Sequence, residues 1–134
     1  MDSISTTTAD EIIERACTRA GEIGIAACIA VVDAGAHLKA FRRMDGAFAG
    51  AVDVSQRKAR TSALFPLPSG VFGQVIAEQQ LTGMELTNGG LAAFHGGLPI
   101  MDGETLIGAI GVSGGSADQD LDIARYALGA EETV

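Results

Sequence analysis

The chain has 134 residues, enough for one domain with a real core and too few for two. Of these 47% are apolar but only 4% aromatic, so the core has to be built from Ile, Val, Leu and Ala. The formal net charge of −8 argues against nucleic acid or an anionic membrane surface as the main partner.

The first residues carry neither a basic stretch nor an apolar run of the secretory kind, and no segment approaches the ~20 apolar residues of a membrane span. A cytoplasmic protein with no membrane partner is therefore expected. The two cysteines, Cys17 and Cys28, lie inside apolar stretches and read as buried thiols.

In chain order, Thr8 and Glu11 have the spacing of a capping box, which starts a helix there. Ile12, Ile13, Ala16, Cys17, Ala20 and Ile23 continue it as one apolar stripe, and Gly24 ends it. Segment 25–32 is apolar throughout, as a strand covered on both faces must be. A short Gly-bearing connection leads into 37–44, which alternates. Leu38, Ala40, Arg42 and Met44 fall on one side of that strand and His37, Lys39, Phe41 and Arg43 on the other.

Segment 50–65 reads as a second helix, stopped by Pro66 and Pro68. Segment 69–80 is expected to form a short third one capped by Ser69, and 82–97 is read as loop with short strands. Asp102-Gly103, between apolar runs, is a two-residue hairpin turn. In the strand that follows, Gly108 and Gly111 leave room for another backbone. Ser116 and Gln119 form a second capping box and open a final helix. The layout is an antiparallel sheet with helices on its faces, an α+β domain spanning 1–134.

Six of the nine basic residues lie between positions 39 and 60: Lys39, Arg42, Arg43, Arg57, Lys58 and Arg60. One basic patch on an acidic protein suggests a small anionic ligand. Arg42, Arg43 and Lys58 are accordingly expected to face a shared cavity. The two histidines, His37 and His95, belong to no spaced zinc motif, but each could ligate haem iron or move a proton. His95 and Gly96 sit in a glycine-rich stretch that a flat ligand could approach. Met44, Met84 and Met101 are further possible axial ligands. Gly111-Val-Ser113-Gly-Gly115 matches a nucleophile elbow, yet both histidines precede Ser113 and the sheet is small, so it reads better as a strand-to-helix turn whose amides favour an anion.

These residues bear a resemblance. Val31-Val-Asp, His37-Leu, Phe41, Arg43-Met-Asp-Gly-Ala47, Arg57-Lys-Ala59, Gly96-Gly-Leu-Pro-Ile100, Asp102-Gly103, Ile107-Gly-Ala-Ile-Gly-Val-Ser-Gly-Gly115 and Gln119-Asp120, in that order, resemble the GlcG/HbpS-like family, also found as the C-terminal domain of PduO-type proteins. The resemblance implies a profilin-like fold, a five-stranded antiparallel sheet flanked by helices on both faces, assembled as a homo-oligomer. It also implies a ligand of the haem or corrinoid type.

Two functions follow as expectations. One is a protein binding haem or a similar anionic flat ligand, with His37 or His95 as iron ligand and with Arg42, Arg43, Lys58, His95, Gly96 and Ser113 lining the site. The other is a cofactor-independent isomerase, lyase or hydratase acting on a small organic acid or oxidised aromatic. There His37 and Asp45 would exchange protons while Arg43 and Lys58 stabilise negative charge.

Overall fold

The computed structural model describes residues 1–129. Its elements are α1 (Thr6–Glu22), β1 (Cys28–Asp33), β2 (Leu38–Arg43), α2 (Gly50–Leu64), α3 (Ser69–Glu78), β3 (Gly97–Asp102), β4 (Thr105–Ser113) and α4 (Ala117–Ala127), with a single 3-10 turn at Met84–Leu86. The α+β layout and the two hairpins expected from the sequence are present. The expected five-stranded sheet is not: the described residues form four antiparallel strands in the order β2-β1-β4-β3. In segment 82–97, where loop with short strands was expected, the 3-10 turn and loop run to Gly96 and a strand, β3, starts only at Gly97.

Local chemistry sets most boundaries. The start of α1 is a correction: Ser5 rather than Thr8 is the cap, its Oγ accepting from the Thr8 amide at 3.1 Å. Gly24, at φ +74°, follows the end of α1. The Ser116–Gln119 capping box opens α4 as expected. Ser69 is the first residue of α3 rather than its cap, and its hydroxyl ties the helix to the β3 approach by accepting from the Gly97 amide at 2.8 Å.

Alternation along the strands divides the core. Ile29 and Val31 of β1, with Ile110 and Val112 of β4, pack beneath α1 and α4 against Ile12, Ile13, Ile123 and Ala124. On the other face, Ala30, Val32 and Ala109 lie under Ala59 and Ala63 of α2. This second face is built from small residues because α2 sits almost on the sheet. A side chain at Gly97 or Gly111 would run into the α2 backbone. Gly108 is equally confined, by the Val32 carbonyl and Ile4.

The helix covers β1, β3 and β4 and leaves β2, the edge strand, nearly uncovered on this side. Only Phe41 of β2 packs into the alanines of α2. Beside α2 there is thus an open ledge whose floor is one face of β2.

Candidate functional site

The β2 ledge carries Leu38, Phe41 and Arg43, which pair with Val32, Ala30 and Cys28 of β1; a register shift at Lys39 breaks the alternation expected from the sequence, and His37 lies just before the strand. Lys39 and Arg43 are exposed and Phe41 half-buried. Arg43 donates to the Ala47 carbonyl at 3.0 Å, which holds it at the lower end of the ledge beside Cys28 and Ser113, its neighbours across the sheet.

His37 stands at the opposite end, on the β1–β2 turn, with its side chain 83% exposed. Its Nδ1 is 3.5 Å from Asp33 Oδ1. The same carboxylate oxygen accepts from the His37 amide at 3.0 Å and the Gly35 amide at 2.9 Å. The His37 amide, above all, holds the Asp33 carboxyl below its ordinary pKa; burial opposes it, and the Gly35 amide adds a smaller lowering. Gly35 is part of this arrangement because a Cβ there would press on the imidazole at 3.0 Å. The ring is therefore turned toward a carboxylate on one side and open to solvent on the other. A carboxylate so placed is close to the position from which an acceptor holds Nδ1–H and leaves Nε2 for a metal.

The other expected site residues are dispersed. Arg42 lies on the far face of β2, under α1, with Nη2 2.6 Å from Glu14 and Nη1 3.7 Å from the Cys17 sulfur. Lys58 faces inward but meets no cavity. Its side chain is 1% exposed, and Nζ donates to Asp120 Oδ2 and to the Val112 carbonyl, each at 2.9 Å, under the Phe94 ring 5.0 Å away. Burial pushes the Lys58 ammonium down and the Asp120 carboxyl up, and their mutual attraction opposes both shifts. The shared cationic cavity of Arg42, Arg43 and Lys58 does not form, because strand parity and the buried ion pair send the three side chains to three different places.

Asp45 is exposed in the turn after β2. It and Arg43 lie at the end of the strand remote from His37, about 20 Å away at the extended rise. The proton-exchange pair envisaged for an enzyme is therefore not assembled within one chain. Ser113 ends β4, and the turn after it offers no free anion site. The Gly115 amide donates to Asp120 at 2.8 Å and the Ser116 amide to Gln119 at 2.8 Å.

His95 precedes Gly96, which is buried at φ +134°. The ring lies against α3 so closely that any side chain at Gly70 would overlap it, and its Nδ1 is buried without a hydrogen-bond partner among the described residues. Met44 sulfur accepts from the Ala27 amide at 3.4 Å, Met84 packs in the small core under α3, and Met101 is exposed on the edge strand β3.

Sequence reasoning misses Lys39 and Phe41 as site residues. The alternation that puts Phe41 and Arg43 on one side is legible, but the register shift at Lys39 and the absence of a helix over this face are not. Among the described residues there is no cluster of three or more metal-ligating side chains, and no helix is long and apolar enough to cross a membrane.

The same chain architecture recurs in known proteins. A family model described as "Haem degrading protein HbpS-like" matches residues 4–129. A 15.0 kDa protein of Citrobacter freundii, encoded in the dhaT-dhaS intergenic region, is 35% identical over 130 residues, which cover 94% of this chain and 90% of that protein. The crystal structure of the Klebsiella pneumoniae protein ORFY superposes with a TM-score of 0.92 at 32% identity, covering 100% of this chain and 94% of that one. The crystal structure of a PduOC–haem complex gives a TM-score of 0.82 at 26% identity, covering 96% of this chain and 94% of that one.

Proposed function

The chain belongs to the HbpS-like family, and from that premise we propose that it binds haem or a closely similar flat, anionic ligand on the β2 ledge, with His37 as the iron ligand. The observation that carries the reading is the imidazole of His37, 83% exposed, with Nδ1 3.5 Å from the Asp33 carboxylate. A carboxylate behind the ring favours the tautomer that leaves Nε2 for a metal. His95 has no such support, since its Nδ1 faces no acceptor among the described residues.

The rest of the ledge suits the same class of guest. Phe41 offers an apolar surface to a macrocycle, and Leu38, 51% exposed at the strand start, extends apolar area beside His37. Lys39 is two residues along the strand from His37, roughly 7 Å at the extended rise, and is free to meet a propionate. Arg43 lies further down and suits a more distant carboxylate. When bound, haem supplies redox chemistry at iron; the residues of this chain bind it, orient it and neutralise its carboxylates. One protomer covers only one face of such a ligand. We accordingly read the functional form as a homo-oligomer in which a second copy shields the other face.

Titration of the protein with haem tests the proposal. A saturable Soret band should develop, and Lys39→Ala should raise the haem Kd about tenfold, the worth of one charge-assisted contact. No saturable band with the wild-type chain would reject the function. A Kd unchanged in Lys39→Ala would reject the ledge.

A further inference from the structure

The flank of α2 that faces the Thr87–Gly90 turn carries a pair of cations that the haem reading does not use. Arg57 Nη1 donates to the carbonyls of Gly89 at 2.6 Å and Gly90 at 3.0 Å. Arg60 Nη2 donates to the Asn88 carbonyl at 2.8 Å and its Nη1 to Gly90 at 3.4 Å. Two guanidinium groups, three residues apart on one helix, thus converge on a single carbonyl oxygen.

The turn is shaped around them. Asn88, Gly89 and Gly90 have φ of 55°, 78° and 102°, three successive left-handed residues that aim their carbonyls at the helix. A side chain at Gly90 would collide with the Arg57 guanidinium.

Neutral carbonyls hold the two arginines in place without quenching their charge. Asp53 opposes one of them, bonding Arg57 Nε at 2.6 Å from a side chain that is itself 69% exposed. Glu85, in the same loop, uses Oε1 on the Gly83 amide. Arg60 has no carboxylate partner among the described residues. Arg57 Nη2 and Arg60 Nε make no hydrogen bond among them either. Two adjacent cations fixed side by side with unused donors form a preorganised acceptor for an anion, since the ordering cost of binding has already been met by the fold.

We propose that Arg57 and Arg60 form a binding site for the phosphate group, at the junction of α2 and the Asn88–Gly90 turn. A tetrahedral oxyanion takes one donor from each guanidinium, Nη2 of Arg57 and Nε of Arg60, and places its negative charge between them. The site is separate from the β2 ledge and does not depend on the haem reading.

The test is a titration with inorganic phosphate at neutral pH, against sodium chloride at matched ionic strength. It is followed through the arginine Nε resonances and the amides of residues 88–90 by NMR. Phosphate should give saturable shifts at Arg57, Arg60 and the turn that chloride does not. Arg60→Gln should weaken binding roughly tenfold. Asp53→Asn, which removes the one competing carboxylate without touching either donor, should tighten it about two- to threefold. Shifts matched by chloride, or phosphate binding undiminished in a folded Arg60→Gln protein, would overturn the proposal. Haem titration of Arg60→Gln should reproduce the wild-type Kd, which separates failure here from failure of the ledge.

Discussion

Single residues carry the sharpest consequences. The Lys58–Asp120 pair is almost fully buried, so removing one partner strands the other charge in the core. Asp120→Ala should cost about 3–5 kcal/mol by chemical denaturation, whereas replacing both partners with apolar residues of similar volume should recover much of the loss. Asp33 makes a pH-dependent contribution whose sign is fixed. Its pKa is lower in the folded chain than the ordinary 3.8, so the stability it supplies is fully present above that value and is lost as pH falls through the folded value. Thermal unfolding between pH 2 and 6 should show that acid-side loss in the wild type and a flatter profile in Asp33→Ala. Some of this is legible in the chain itself: Asp33 reads as an organiser of its hairpin turn because its partners lie within four residues. The partner of Lys58 is 62 residues away, and no local pattern announces it. Ser5 and Thr8 illustrate a third case, since both satisfy a capping pattern and only the packing of Ile4 into the core selects the earlier one.

At the scale of elements, the decisive fact is which face of β2 a helix covers. Period-two alternation by itself separates Arg42 from Phe41 and Arg43, while the register shift at Lys39 brings Leu38 to their side. It does not say which set meets α1 and which is left open. The answer follows from α1 lying over β2 while α2 stops short of it, which turns Arg42 into a partner of Glu14 and leaves Lys39 bare. The two faces therefore predict opposite outcomes in one assay. Arg42→Ala should leave haem affinity within about twofold, as loss of an exposed ion pair would, while Lys39→Ala weakens it. Equal effects of the two substitutions would mean that the guest does not lie on the α2 side of the edge strand. A complementary test concerns α3, which is seated against the His95 ring. Gly70→Ala should destabilise the protein by roughly 1–3 kcal/mol through overpacking, measured as a lower denaturation midpoint.

For the molecule as a whole, the order of helices and hairpins can be read from turn and cap residues, and it matches the observed layout. The fifth strand came with the family resemblance, and the described residues do not supply it. The basic residues between positions 39 and 60 look like one patch because they are close in sequence. Folding distributes them over two faces of a sheet and two flanks of a helix, and buries one of them. What survives as a site is the open edge of the sheet, a half-enclosure that fits a flat ligand on one side only. Native mass spectrometry of the haem complex should accordingly find haem retained in multimers of the chain and not in the monomer. Haem binding on the ledge rests finally on His37, and the most direct measurement is the absorption spectrum of haem bound to His37→Gly with and without added imidazole. The spectrum should lose its histidine-ligated form and regain it when imidazole fills the vacated position, with His95→Gly indistinguishable from wild type; a His37→Gly spectrum identical to wild type would contradict it.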